Sequence, residues 1–156
     1  MRLTVYTDYS LRMLMYLAVM GDGLATIAEV AAAYGISKAH LTKVAHQLGL
    51  AGYVETVRGK GGGLRLARSP GAIGLGDVVR RTEPDMALVP CFGPVHAPCP
   101  IVPACGLRGA LYEAGQAFLA VLDRYSLADL VQRRGSWAHC YTRQRARLGR
   151  DRGLNW

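Results

Sequence analysis

Three cysteines fall within fifteen residues, in the stretch CFGPVHAPCPIVPAC from Cys91 to Cys105, with the spacing C-x7-C-x5-C. Four prolines, Pro94, Pro98, Pro100 and Pro103, stand among them. Proline fixes φ and brings no N–H, so this stretch is neither a regular helix nor a central strand. It reads as a stiff loop that holds three thiols in place. Where the compartment keeps thiols reduced, clustered cysteines point to metal or redox chemistry before a structural disulfide. His96, inside the same loop, could add a nitrogen ligand and make a Cys3His zinc site, although zinc sites usually show cysteines about two to four residues apart. Cys140 stands far from the other three in a basic tail and reads as a free thiol.

Composition limits what such a loop can serve. The chain has 156 residues, 51% of them hydrophobic, enough for one packed core and against wholesale disorder. No apolar run is long enough to span a bilayer, and the first residues carry Asp8 and Arg12 without a signal-peptide pattern, so the sequence reads as cytoplasmic. The net charge of +8 is uneven. Residues 1–70 hold eight Lys/Arg against four Asp/Glu, residues 71–132 four against six, and residues 133–156 seven against one. A basic first part beside a cysteine-bearing second part suggests an anion-binding module joined to a sensing module. No Ser/His/Asp order and no paired carboxylates suggest catalysis, so the sequence does not read as an enzyme.

The elements that must position these residues start at the N-terminus. Leu11, Leu14, Met15, Ala18 and Val19 recur at helical spacing and predict a helix over residues 8–20, capped by Thr7 or Asp8 and ended by Gly21 and Gly23. Thr26 and Glu29 form a T-x-x-E capping box for a second helix, and Gly35 stops it. Ser37 caps a third, whose Leu41, Val44, Ala45 and Leu48 face inward. Two short helices joined by Gly35-Ile36-Ser37 have the spacing of a helix-turn-helix. The outward residues Ser37, Lys38, His40, Thr42, Lys43, His46 and Gln47 are hydrogen-bonding types suited to phosphates and base edges.

A hairpin should follow: strand Tyr53–Val57, a turn with Arg58, Lys60, Gly61 and Gly62, then strand Leu64–Ala67. A basic hairpin after a helix-turn-helix is a winged helix, with one helix in the major groove and the wing along the backbone or in the minor groove. The run RGKGGG lacks the spacing of an NTPase phosphate loop and precedes a strand. Residues 73–82 read as a short helix ended by Pro84. After Cys105, residues 106–125 place Leu107, Leu111, Ala114, Phe118, Val121, Leu122 and Tyr125 on one long amphipathic helix. Such a helix beside a small module suits packing on a second copy, and two-fold symmetry suits a palindromic site on double-stranded DNA. Ser126 caps a last short helix. The expected plan is mainly α: a winged helix-turn-helix domain over 1–83, a cysteine loop and dimerisation helix over 84–132, and a loosely ordered basic tail over 133–156.

The opening MRLTVYTDYSLRMLMYLA, the segment VETVRGKGGGLRLAR, and the C-x7-C-x5-C loop followed by GLRGAL resemble the NsrR/RirA/IscR family of winged-helix iron–sulfur regulators, over about residues 1–132. The resemblance implies a homodimer with one cluster per subunit near the dimer helix, the state of which controls DNA binding. Thiolates are the usual ligands of such clusters, and a 4Fe–4S cubane takes four ligands, one per iron; 2Fe–2S is the alternative. Cys91, Cys99 and Cys105 would supply three. The IscR branch has a histidine three residues after its last cysteine, where this chain has Arg108. The NsrR branch implies an aspartate near the N-terminus, contributed by the other subunit, and Asp8 matches that position, whereas RirA-like members usually carry no acid there. His96 stays open as a fourth ligand. A carboxylate is a harder, weaker partner for such an iron than thiolate. The likeness therefore implies a repressor that nitric oxide controls: the Asp8 tie fails, the recognition helices shift and DNA is released. Arg12, one turn after Asp8, is placed to hold its carboxylate. A RirA-like regulator answering to iron or redox state, and a zinc-stabilised DNA-binding protein, remain the alternatives.

Overall fold

The structure, a computed structural model, describes residues 2–93 and 99–132 together with Trp137 and Tyr141. Helix α1 (Val5–Met20) supplies the centre of the core. Its Met13, Leu14, Leu17 and Ala18 are buried to within 1% of complete exclusion. Each large side chain so buried contributes about 1.5–3 kcal/mol. The helix starts at Val5, three residues earlier than its apolar spacing suggests, and neither Thr7 nor Asp8 caps it. Thr4 is the cap, its hydroxyl accepting from Thr7 N–H at 3.2 Å. Glu83 completes that start from a distant element: its Oε1 accepts from the Thr4 N–H at 2.8 Å and from the Thr4 hydroxyl at 3.1 Å. A capping box normally draws this acceptor from the third helical residue; here that residue is Thr7, and Glu83 takes its place in space.

Helices α2 (Ile27–Tyr34) and α3 (Lys38–Leu50) follow, and both pack on α1 or on each other through their apolar faces. The Thr26–Glu29 capping box is present, with Thr26 N–H donating to Glu29 Oε2 at 2.8 Å. Gly35 takes the left-handed conformation, φ 68°, that lets the chain leave α2 sharply. Ser37 stands at the N-cap of α3, but its hydroxyl makes no capping hydrogen bond there. Strands β1 (Val54–Val57) and β2 (Gly63–Leu66) form an antiparallel pair with Val54 opposite Leu66 and Val57 opposite Gly63. Leu64 also bridges Ala25, exchanging hydrogen bonds of 2.8 and 3.0 Å, so the hairpin is welded to the residue before the Thr26 cap of α2.

A 3-10 turn at Pro70–Ala72 leads to α4 (Leu75–Thr82), which begins two residues after the buried Ile73. Further 3-10 turns lie at Pro90–Phe92 and Val102–Ala104, so the cysteine loop is irregular wherever it is described. Helix α5 (Gly106–Leu122) packs against α4, and Arg80 on α4 pairs with Asp123 at its end. None of its side chains is buried, and Leu107, Tyr112 and Val121 are exposed. Helix α6 (Leu127–Leu130) opens on a Ser126–Asp129 capping box. Its Leu127 N–H donates to Ile73 O at 2.8 Å, and Leu127 and Val131 join the core around α1. No helix among the described residues is long and apolar enough to cross a membrane.

Candidate nucleic-acid interface and metal centre

Periodicity sets the first face. The four apolar residues of α3 expected to face inward, Leu41, Val44, Ala45 and Leu48, are all buried. That turns Lys38, His40, Thr42, Lys43, His46 and Gln47 out to solvent, with Ser37 exposed at the head of the helix. Thr42 spends its hydroxyl hydrogen on Lys38 O at 2.9 Å, so toward an outside partner it can act only as acceptor. The wing brings Arg58 and Lys60 to an exposed tip. Gly62 is what lets the tip fold back: a Cβ there would stand 2.2 Å from Val57 O. A row of donors on one helix and two cations on the hairpin beside it can grip a phosphate backbone and read base edges.

The second region is the loop ahead of α5. Cys91 lies in the Pro90–Phe92 turn and is half-buried. Cys105 is the residue preceding α5 and is half-buried as well, while Cys99 is exposed. All three thiols are free. Cys91 opens into a cleft of about 360 Å3 between residues 85–92 and α5. Arg108 reaches over the Phe92 ring there, 5.8 Å from its centroid, and Tyr112 meets Phe92 edge-on. His96, the alternative ligand, and Cys140 lie outside the described residues.

Asp8 sits in the first turn of α1, about half exposed. Arg12 Nε donates to its Oδ1 at 2.9 Å. Oδ2 has no hydrogen-bond partner among the described residues. The bond to Asp8 raises the Arg12 pKa further, so this guanidinium keeps its charge. The carboxylate is thus fixed through one oxygen and presents the other. Three free thiols on a proline-braced loop, with a carboxylate offering one oxygen, suit a thiolate-held iron–sulfur cluster by their chemistry. Among the described residues no group of three or more His, Cys, Asp and Glu side chains converges within the one chain.

Three contacts around Tyr34 and Tyr141 had no local signal. Tyr34, the last residue of α2, carries Arg12 over its ring at 5.6 Å and hydrogen-bonds Tyr141 through its hydroxyl. Tyr141 also packs against Tyr16, with ring centroids 5.0 Å apart. Burial pushes the Tyr34 hydroxyl pKa well up, so it stays protonated. The sequence offers only scattered tyrosines, 107 positions apart in the case of Tyr34 and Tyr141.

The family profile described as an iron-dependent transcriptional regulator, Rrf2, matches residues 3–133. The HTH-type transcriptional regulator NsrR of Bacillus subtilis is 53% identical over 133 residues, covering 85% of this chain and 91% of that protein. NsrR of Geobacillus kaustophilus is 49% identical over 137 residues, covering 87% and 93%. Among solved structures, CymR, the global cysteine regulator of B. subtilis, superposes with a TM-score of 0.70 at 28% identity, covering 85% of this chain and 97% of that one. IscR of T. potens gives 0.67 at 26%, covering 85% and 87%.

Proposed function

Because this chain belongs to the Rrf2 family of DNA-binding transcriptional regulators, we propose that it is a homodimeric repressor whose hold on a palindromic operator is set by an iron–sulfur cluster responsive to nitric oxide. The observation that carries this is the set of three free thiols ahead of α5, in a chain about half identical to regulators named NsrR. Cys91, Cys99 and Cys105 would hold a 4Fe–4S cluster as thiolates and leave one iron to a fourth ligand. Asp8 of the second subunit gives that ligand through Oδ2, while Arg12 keeps Oδ1 and so fixes the direction in which the carboxylate points. When bound, the cluster supplies iron able to take up nitric oxide.

The residues of the chain do the rest. Helix α5, with no buried side chain and with Leu107, Tyr112 and Val121 exposed, is the surface on which two copies pair. Lys38, Lys43, Arg58 and Lys60 hold phosphates on each half-site, and Ser37, His40, Thr42, His46 and Gln47 meet base edges or sugar-phosphate oxygens. Gly61 and Gly62 let the wing backbone come close. Asp8 would be the weakest of the four ligands, a harder donor than thiolate, and would tie one subunit's α1 to the other's cysteine loop.

The test is an anaerobic nitric oxide titration with visible absorbance and operator binding followed together. Both should change over the same range of added nitric oxide, and Asp8→Ala should change that range. Iron-free, colourless protein that keeps its operator when nitric oxide is added refutes the proposal. Colourless protein with stoichiometric zinc would replace it with a structural metal site.

A further inference from the structure

Asp8 has two neighbours on α1 that reach the helix-turn-helix on either side of its turn. Arg12, which holds Asp8 Oδ1, lays its guanidinium 5.6 Å from the ring centroid of Tyr34, the last residue of α2. Tyr9 brings its ring to 6.2 Å from that of His40, in the first turn of α3. Between Tyr34 and His40 lie only residues 35–39, among them the left-handed Gly35 that sets the angle between the two helices. Tyr34 has a firm seat. Tyr16 meets its ring at 6.4 Å and Tyr141 at 5.5 Å, both edge-on, and its hydroxyl pairs with that of Tyr141. Tyr16 is itself 4% exposed, so the seat belongs to the core.

We propose that Tyr34 is a positioning residue that carries the state of Asp8 to the recognition helix α3. The inference rests on the reading of Asp8 as a ligand given above. While Asp8 is held, Arg12 is held, and its guanidinium pins the Tyr34 ring at the head of the turn. When Asp8 is released, its pair with Arg12 stands on a half-exposed carboxylate free to turn, Tyr34 is covered less firmly, and the turn that aims α3 loosens; loss of the carboxylate charge loosens it further. The Tyr9–His40 contact is the second jaw, and it keeps α1 and α3 in step on the far side of the turn. Each link is modest. Half-exposed ion pairs and cation–π contacts alter an equilibrium by about threefold per subunit, or about tenfold for a dimer, so Tyr34 tunes the response and does not switch it alone.

The decisive quantity is the ratio of operator affinities before and after nitric oxide. Tyr34→Leu, which removes the ring, should shrink that ratio about tenfold, and Tyr34→Phe, which keeps the ring and loses only the hydroxyl, should restore it. A second readout needs no cluster. In cluster-free protein, Asp8→Asn should speed amide exchange at Ile36 and Ser37 about threefold in the wild-type and Tyr34→Phe backgrounds, and should have no effect there in Tyr34→Leu. If Tyr34→Leu does not fold, Arg12→Met on the half-exposed surface of α1 takes its place and should shrink the ratio likewise. A wild-type ratio in Tyr34→Leu or Arg12→Met, or equal exchange effects of Asp8→Asn with and without the ring, overturns the route. If Asp8→Ala leaves the cluster spectrum and its nitric oxide response untouched, the ligand reading fails instead, and the exchange comparison still judges the contact path by itself.

Discussion

Lys60→Ala is the substitution that most directly tests the DNA face. Lys60 stands at the wing tip, exposed, between two glycines at φ 105° and 80°, and it has no ion-pair partner among the described residues. Nothing in the core depends on it, so stability should change by less than about 0.5 kcal/mol. If its ammonium neutralises one phosphate, a dimer loses two such contacts, and the slope of log affinity against log salt should flatten by about 1.8. Between 50 and 200 mM salt, a fourfold change, wild-type affinity should then fall about twelvefold further than that of the variant. Fluorescence anisotropy of a labelled operator duplex at several salt concentrations reads this directly. Lys60→Arg, which keeps the charge, should keep the slope. An unaltered slope in Lys60→Ala would show that the wing tip is not on the backbone, and the assignment of the hairpin as a DNA-binding wing would fall with it.

Other outcomes follow from single contacts. Thr26→Ala removes the capping box at the start of α2 and should lower unfolding free energy by about 1 kcal/mol, seen as a lower denaturant midpoint with an unchanged m-value. Cys91→Ala, Cys99→Ala and Cys105→Ala should each lose iron and sulfide on anaerobic reconstitution, whereas Cys140→Ala should keep both; iron and acid-labile sulfide assays decide. The Ser126 hydroxyl and N–H hold the Asp129 carboxylate below its ordinary pKa. Its contribution to stability is therefore present above the unfolded pKa and lost as pH falls through the folded one. In an NMR titration the Asp129 carboxyl should have a midpoint below the usual carboxylate range, and Ser126→Ala should move it back up.

Much of the winged unit was legible because its signals are local. Thr26, Glu29, Gly35 and the four inward residues of α3 act within one turn of their own positions, and capping, left-handed glycine and 3.6-residue spacing leave the chain few other choices. The hairpin was legible for the same reason, since RGKGGG between two apolar runs has the turn residues a tight reversal needs. The start of α1 was not. Thr7 and Asp8 look like caps in the sequence, but the helix begins earlier, with Thr4 at its head and the acceptor for Thr4 supplied by Glu83, 79 positions beyond it. The thiol loop showed its three cysteines and its prolines, while the setting of the Cys91 sulfur depends on the packing of residues 85–92 against α5.

The order of residues alone determines which chemistry is on offer: three soft thiols within fifteen residues, a carboxylate four residues ahead of an arginine on one helix face, and a basic hairpin behind a helix pair. Ligand softness, helical period and turn preference are properties of residue types and short spacings, so they need no fold to be read. Tertiary structure alone decides which of these groups act on one another. Arg12 reaching Tyr34, Tyr141 meeting that ring's hydroxyl, Tyr9 facing His40, and Leu127 returning to the core around α1 all join segments through a shared interior. Such contacts depend on where whole elements come to rest, and no local pattern carries that information.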